Sequence, residues 1–128
     1  HCDGHPFHLG VVGYIEDVKP NGGGFCVWPR SHKKFYHTFT TGYLADTNKS
    51  HSIILEEVNQ KMPTEFIGLA GDVVFWHHRL GHMAGQNYSK QIRQAVLSDF
   101  CKKDIEFVKN QPPCLDMWEH WFPELRGL

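Results

Sequence analysis

The segment GDVVFWHHRLGH spans residues 71–82 and carries the strongest structural signal in the chain. Gly71 and Asp72 are typical turn residues, and residues 73–77 form an apolar run of the kind found in buried strands. Residues 80–84 predict a further short strand. The segment therefore indicates a β-rich domain, with three histidines placed on or beside its strands.

Short apolar runs separated by glycine and proline turns continue on both sides of this segment. The predicted strands cover residues 9–18, 25–28, 53–58, 65–69, 73–77, 80–84 and 92–100, the last of these as a core strand. Residues 33–52 are polar and predict a long loop with one helical turn. Many short strands in one small domain predict an antiparallel sandwich or barrel, and so a mostly-β fold.

The last part of the chain differs in character, so we divide the sequence into a core, residues 1–100, and a C-terminal extension, residues 101–128. Residues 104–109 predict a helical turn, which Pro112 and Pro113 end. Further on, apolar residues stand at helical spacing and predict a short amphipathic helix packed on the core, with a substrate lid or a dimer contact as alternatives. These residues are Leu115, Trp118 and Phe122.

The composition argues against several classes of function. The 128 residues carry a formal net charge of −1, which argues against a nucleic-acid partner. No apolar run approaches the roughly 20 residues that span a bilayer. The four cysteines contain no C-x-x-C pair, so we expect reduced thiols and an intracellular, cytoplasmic location, although disulfides are an alternative. Residue 1 is His, so we expect a processed chain or part of a longer protein; the oligomeric state stays open.

Ten histidines in a chain of this size point to metal chemistry. In an extended chain, residues i and i+2 point to the same side, so His1 and Asp3 can hold one ion. About half an H-x-D triplet is expected by chance in this composition, and His5 and His8 lie in the same segment. The triplet is therefore informative only together with other residues.

The second histidine group supplies those residues. Two histidines and one carboxylate form the facial triad that binds Fe(II) and leaves open positions. His82 is the candidate, and a shift in strand register would bring in His77 or His78 instead. Arg93, 11 residues after His82, offers a planar cationic fork for a carboxylate. A triad with a nearby buried arginine is the set that a 2-oxoglutarate-dependent oxygenase requires.

Four pieces of the sequence, in this order, carry a family resemblance. They are HCD at residues 1–3, NGGGFCVWPRSH at 21–32, GDVVFWH at 71–77, and His82 with Asn87 and Arg93. Between residue 1 and about residue 100 the chain resembles the phytanoyl-CoA dioxygenase family of Fe(II)/2-oxoglutarate oxygenases. The second piece is similar to the family's N-G-x-x-x-x-x-P-G-S-H; Arg30 stands where the family commonly has glycine.

The resemblance implies a double-stranded β-helix, the cupin-like jelly roll, incomplete at its N-terminal side and followed by a short helical tail. It implies that His1, Asp3 and His82 are the metal ligands and catalytic residues, and that Arg93 binds the cosubstrate carboxylate. Asn87 caps a turn or contacts the cosubstrate. The implied cofactors are Fe(II), 2-oxoglutarate and O₂.

The expected function is a non-haem dioxygenase that hydroxylates a small organic or lipid-like substrate while 2-oxoglutarate is decarboxylated to succinate. Halogenating relatives lack the carboxylate ligand, so Asp3 favours hydroxylation or a related oxidation. The alternative is a non-catalytic cupin-like metal-binding or structural domain, or an inactive fragment of an oxygenase; a zinc hydrolase ranks third.

For the other histidines and the tryptophans we expect structural roles or positions at the pocket. His77 and His78 belong to the core or contact the metal ligands, and Trp28 and Trp76 are core aromatics or pocket walls. The remaining histidines divide into pocket-lining ones, His5 and His8, and solvated ones, His32, His37, His51 and His120.

Overall fold

The computed structural model describes residues 1–4, 9–41, 45, 50–119 and 121–126. Within these residues, six strands form two antiparallel three-stranded sheets, which confirms the mostly-β prediction. The strands are β1 (Leu9–Tyr14), β2 (Phe25–Val27), β3 (Thr64–Glu65), β4 (Val73–His77), β5 (His82–Ala84) and β6 (Ala95–Phe100).

The helices are few and short: α1 (Ser31–Phe35), α2 (Ser50–Asn59) and α3 (Ile105–Val108), with 3-10 turns at Tyr36–Thr38 and Pro123–Leu125. The strand predicted over residues 53–58 is wrong, because these residues lie within α2. There Ile54, Leu55 and Val58 recur at helical spacing and pack on a cluster around Phe35. None of the helices in the described part of the chain has the length and apolar character needed to span a bilayer.

The first sheet has the strand order β4-β1-β6, with the central strand β1 antiparallel to both neighbours. Side chains of β1 alternate, and Val12 and Tyr14 point into the core. Gly10 pairs with Trp76 on one side and Asp99 on the other. A Cβ at Gly10 would lie 2.1 Å from the Trp76 indole, so only glycine lets the ring cover the strand here.

The second sheet has the order β3-β2-β5, and its central strand β2 is buried throughout. Phe25 and Val27 pack with Val12, Tyr14 and Trp76 of the first sheet. The Tyr14 hydroxyl also joins the sheets, since it donates to the Phe66 carbonyl at 2.7 Å and accepts from the Phe25 backbone N–H at 2.9 Å. The main core therefore lies between the sheets.

Two strands are more exposed than expected. The segment predicted as the last core strand forms β6, but all its residues after Ala95 are exposed because β6 is a sheet edge bonded only to β1. In β4, predicted as a buried strand, the Phe75 side chain is 63% exposed. Alternation explains this difference, since Trp76 takes the inner face and its neighbour Phe75 the outer one.

The C-terminal extension contains the predicted helical turn as α3, but among the residues described there no helix joins Leu115, Trp118 and Phe122. That prediction is wrong, because Leu115 and Phe122 are exposed and turns interrupt the segment. Trp118 and Trp121 instead contact the ring of His77, and the Tyr36 hydroxyl donates to the Cys114 carbonyl at 2.8 Å. The division into core and extension stays a prediction.

Arg30 begins the turn into α1 with φ 65° and ψ 2°, the left-handed conformation. A side chain in this conformation is strained, whereas glycine adopts it freely. The departure from the family's glycine therefore leaves the turn intact and adds a local energetic cost.

Candidate active site

His1, Asp3 and His82 converge on one point. His1 Nε2 lies 3.5 Å from one carboxylate oxygen of Asp3, and His82 Nε2 lies 3.4 Å from the other. One ligand atom from each residue falls within 4.8 Å of the other two. Ligands at right angles, each about 2.1 Å from an ion, would be about 3 Å apart, so a small contraction suffices for binding.

The side chains of the first three residues point alternately to opposite sides, as in an extended chain. His1 and Asp3 face His82, while Cys2 points away and packs beside the apolar cluster of Trp28, Phe35 and Val58. Burial raises the pKa of the Cys2 thiol to about 11, so this sulfur stays protonated near neutral pH. The alternation expected of an H-x-D triplet is therefore what the structure contains.

Backbone contacts orient the His82 ring toward the other two residues of the cluster. It begins β5, pairs with Val27, and its N–H donates to the His1 carbonyl at 2.8 Å. Its ring Nδ1 lies 2.9 Å from the Leu80 carbonyl, a contact that places the proton on Nδ1. The lone pair of Nε2 is then directed toward Asp3, which is the tautomer that metal binding requires.

Arg79 is a part of the site that sequence reasoning missed. Its side chain is only 1% exposed, and its Nη1 donates to the Asp3 carbonyl at 2.8 Å. The guanidinium carbon also lies 3.3 Å from the centre of the Phe39 ring. Arg79 thus ties the Asp3 backbone to the loop before β5. The only signal in the sequence was a charged residue inside an apolar, histidine-rich segment.

A cavity of about 300 Å³ opens beside the three residues. Its lining combines the three polar residues of the cluster, Arg93, Asp99 and an apolar surface formed by Val12, Phe25, Trp76, Met83, Ala84 and Leu97. Arg93 is half-buried, and its Nε donates to the Gly23 carbonyl at 2.7 Å. The structure therefore brings Arg93 and the histidine–aspartate cluster to one cavity.

Asn87 lies elsewhere. Its amide nitrogen donates to the Gln91 carbonyl at 2.7 Å, and its amide oxygen accepts from the backbone N–H and hydroxyl of Ser89. It lines a separate surface depression and not the cavity beside the cluster. Of its two expected roles, the structure contains the turn-capping one.

The other histidines form a second group. His77 and His78 are buried, as expected of core residues, and His77 packs against His32, Trp118 and Trp121. The expectation of solvated side chains fails for His32, which is half-buried with a lowered pKa because burial disfavours its charged form.

Two further histidines were expected in solvent. His51 is also half-buried and contacts the Thr38 hydroxyl at 2.8 Å, whereas His37 is exposed. The expectations for His5, His8 and His120 concern residues outside the described ones.

Comparison with known families gives a match over residues 1–95 to the phytanoyl-CoA dioxygenase model. The chain belongs to this family. The match covers all four motifs from which the resemblance was drawn and ends at the start of β6. Family membership implies Fe(II), 2-oxoglutarate and O₂ as cofactor and cosubstrates. No curated protein sequence matched the chain in the comparison.

Two solved structures are similar in fold. SnoK, a non-haem α-ketoglutarate-dependent carbocyclase from nogalamycin biosynthesis, has a TM-score of 0.57 at 20% identity; the match covers 91% of this chain and 52% of SnoK. EvdMO1 has a TM-score of 0.56 at 20% identity, covering 76% of this chain and 20% of EvdMO1. The antiparallel sheets are thus consistent with a jelly roll, and the chain spans about half of one relative and a fifth of the other.

Proposed function

We propose that this protein is an Fe(II)/2-oxoglutarate-dependent dioxygenase that hydroxylates a small organic substrate, with His1, Asp3 and His82 as the metal ligands. The observation that carries the proposal is the convergence of two histidine nitrogens and one carboxylate on one point beside a cavity that also contains Arg93. Family membership supports the same reaction class.

The donor set fits the ion. Two imidazole nitrogens and a carboxylate are the ligands of non-haem Fe(II) sites, and three ligands leave positions for cosubstrate and O₂. The His1 side chain is 66% exposed, whereas those of Asp3 and His82 are largely buried, so the three residues that would hold the ion lie at the edge of the cavity. When bound, Fe(II) supplies O₂ activation coupled to decarboxylation of 2-oxoglutarate to succinate.

The residues of this chain position the reactants. Arg93 would pair with the distal carboxylate of 2-oxoglutarate through its planar fork, while its Nε donates to the Gly23 carbonyl. The buried side chains of Val12 and Trp76 give the cavity an apolar wall, which would limit water beside the reacting groups. Asp3, whose backbone carbonyl accepts a hydrogen bond from Arg79, supplies the one negative charge among the proposed ligands.

The alternative is a metal-binding domain without turnover, since the same three ligands would serve a structural ion. Arg93 distinguishes the two functions, because a structural ion needs no cation at the far side of a cavity. The exposed residues of β6 do not distinguish an oxygenase from a domain without turnover.

Anaerobic titration of the purified protein with Fe(II) and 2-oxoglutarate tests the proposal. Bidentate binding of the 2-oxo acid to Fe(II) produces a visible charge-transfer band, which we expect from the wild type. His82→Ala should abolish the band, and Arg93→Ala should weaken 2-oxoglutarate binding about tenfold to a hundredfold through loss of a charge-assisted pair.

Lys90→Ala serves as the control, because Lys90 is an exposed cation outside the cavity. It should leave the band unchanged. A folded wild-type protein that binds Fe(II) without forming the band, or an Arg93→Ala variant that binds 2-oxoglutarate as tightly as the wild type, would contradict the proposal.

A further inference from the structure

The loop that precedes β2 supplies a contact that orients Arg93 at the cavity. Arg93 Nε donates to the Gly23 carbonyl at 2.7 Å. Because the guanidinium is a rigid planar group, a hydrogen bond at Nε restricts the direction of its terminal nitrogens. The position of the Gly23 carbonyl therefore affects where the cation of the cavity lies, and the proposed function does not explain what holds this carbonyl in place.

The side chain of Glu65 binds this loop at two points. One carboxylate oxygen accepts the backbone N–H of Gly24 at 2.8 Å, and the other accepts the backbone N–H of Asn21 at 2.8 Å. Asn21 and Gly23 have positive φ values of 59° and 81°, the left-handed conformation that curls a loop. Backbone N–H groups in such curled segments converge on an anion, and here the anion is the carboxylate of Glu65.

A single peptide unit joins Glu65 to Arg93. The Gly23 carbonyl and the Gly24 N–H belong to the same planar trans peptide, so they point in opposite directions. Glu65 binds the N–H of this peptide, and Arg93 binds its carbonyl. Since the unit is rigid, rotation of the N–H away from Glu65 also turns the carbonyl away from Arg93. The charged groups on its two sides polarise the peptide in the same sense, which strengthens both hydrogen bonds.

The second sheet fixes the position of Glu65, which is half-buried in β3 where that strand pairs with β2. A Cβ at Gly24 would lie 2.9 Å from Glu65 Cγ, so glycine allows the side chain to approach the loop this closely. The loop also has backbone anchors, since the Asn21 carbonyl accepts from the Tyr88 N–H at 2.9 Å and the Gly24 carbonyl from the Gly85 N–H at 2.8 Å. Removal of the carboxylate should therefore loosen one peptide without unfolding the loop.

We propose that Glu65 is a positioning residue for the cosubstrate and that it acts on Arg93 through the peptide between Gly23 and Gly24. This inference rests on the proposed function, because that function assigns the distal carboxylate of 2-oxoglutarate to Arg93. Glu65 then contributes to the affinity for the distal carboxylate. It does not contribute to the affinity for the metal or for the 2-oxo acid group, which belong to the other end of the cosubstrate.

NMR of the arginine side chains in the metal-free, ¹⁵N-labelled protein tests the link between Glu65 and Arg93. A hydrogen-bonded Nε proton exchanges slowly with water, and Arg93→Lys identifies the Arg93 signal. Glu65→Ala should raise the exchange rate of this proton about tenfold, because the hydrogen bond to the carbonyl is weakened. Glu56→Ala, which replaces an exposed glutamate of α2, should leave the rate unchanged. The internal controls are the Nε signals of Arg30, Arg79 and Arg126.

Anaerobic titration of the Fe(II)-loaded protein tests the effect on the cosubstrate. The probes are 2-oxoglutarate and 2-oxopentanoate, which has a methyl group in place of the distal carboxylate. Glu65→Ala should weaken 2-oxoglutarate binding about tenfold and leave the affinities for 2-oxopentanoate and Fe(II) unchanged. Glu65→Gln keeps the shape of the side chain and one acceptor oxygen, so it should weaken 2-oxoglutarate binding by less. In an Arg93→Ala background, Glu65→Ala should have no further effect, because it acts through Arg93.

The proposal is overturned if both Glu65 variants bind 2-oxoglutarate as tightly as the wild type or more tightly, or if they weaken 2-oxopentanoate binding to the same extent. Additive effects of Glu65→Ala and Arg93→Ala would also overturn it, as would an Arg93 Nε signal that does not respond to Glu65→Ala. That signal needs neither Fe(II) nor 2-oxoglutarate, so its failure overturns this inference alone. A wild type without the charge-transfer band would instead overturn the proposed function, and the cosubstrate role of Glu65 with it.

Discussion

The protein contains two histidine groups within one short stretch of chain, and their surroundings differ. His82 faces the Asp3 carboxylate, with its Nδ1 against the Leu80 carbonyl. His77, five residues earlier, is enclosed by Trp118, Trp121 and His32. One histidine therefore lies beside a carboxylate, as a metal ligand would, and the other packs among aromatic rings; the neighbouring residues make the difference.

The largest expected effect is on metal affinity, and it distinguishes His82 from His77. His82→Ala removes a proposed metal ligand and should weaken Co(II) or Fe(II) binding about a hundredfold or more, since even loss of an outer partner costs tenfold to a hundredfold. His77→Phe keeps a ring among the tryptophans and should bind metal like the wild type. Isothermal titration calorimetry under anaerobic conditions measures both. Equal metal affinity in the two variants would break the comparison.

Arg79 should show the next largest effect, because it holds the Asp3 carbonyl from within the core. Arg79→Met should weaken metal binding about tenfold to a hundredfold, the range seen for groups that orient ligands. Arg79→Lys keeps a charged donor and should recover part of that loss, as should added guanidinium with Arg79→Met. Metal affinity unchanged in Arg79→Met, with a native circular dichroism spectrum, would contradict the positioning role.

The stability of the protein should depend on pH through His32, which packs against His77. Burial lowers the pKa of His32 in the folded state, so as pH falls below about 6.5 the unfolded chain takes up a proton that the folded chain resists. The free energy of unfolding should therefore decrease from about pH 7.5 to about pH 5.5, and His32→Phe should reduce that decrease. Urea unfolding at both values measures it. An identical pH dependence in wild type and variant would show that His32 does not contribute.

The smallest expected effect concerns the turn before α1. Arg30→Gly removes the strain of a left-handed side-chain-bearing residue and should raise the free energy of unfolding by about 0.5–1 kcal/mol, after the entropy cost of glycine is subtracted. Lys33→Gly, within α1, should lower it by about 1 kcal/mol. Urea unfolding of the two variants tests the sign, and a destabilising Arg30→Gly would show that the Arg30 side chain makes a compensating contact.

Much of the site could be predicted from sequence because its members lie in short motifs with clear periodicity. The alternation of an extended chain places His1 and Asp3 together, and the strand pattern of residues 73–77 is present as β4. Their roles as iron ligands stay predictions. For Asn87 the sequence allows a turn cap or a cosubstrate contact, and in the structure its side chain makes hydrogen bonds within the turn.

Other features depend on contacts that no local pattern encodes. A run such as SIILEEV fits either a strand or a helix, and only the packing of Ile54 and Val58 near Phe35 decides for α2. The burial of Arg79 requires Asp3 and Phe39, which lie far away in sequence. In the C-terminal extension, Trp118 and Trp121 pack because His77 is there, so helical spacing of Leu115 and Phe122 was misleading.

The position of the metal tests the account most directly. Crystals grown anaerobically with Fe(II) and 2-oxoglutarate, measured at the iron absorption edge, would locate the ion by its anomalous signal. We expect one peak about 2.0–2.2 Å from His1 Nε2, an Asp3 carboxylate oxygen and His82 Nε2, with the distal carboxylate of 2-oxoglutarate on Arg93. An iron peak beside His77 and His32, or none at the three proposed ligands in folded protein, would contradict it.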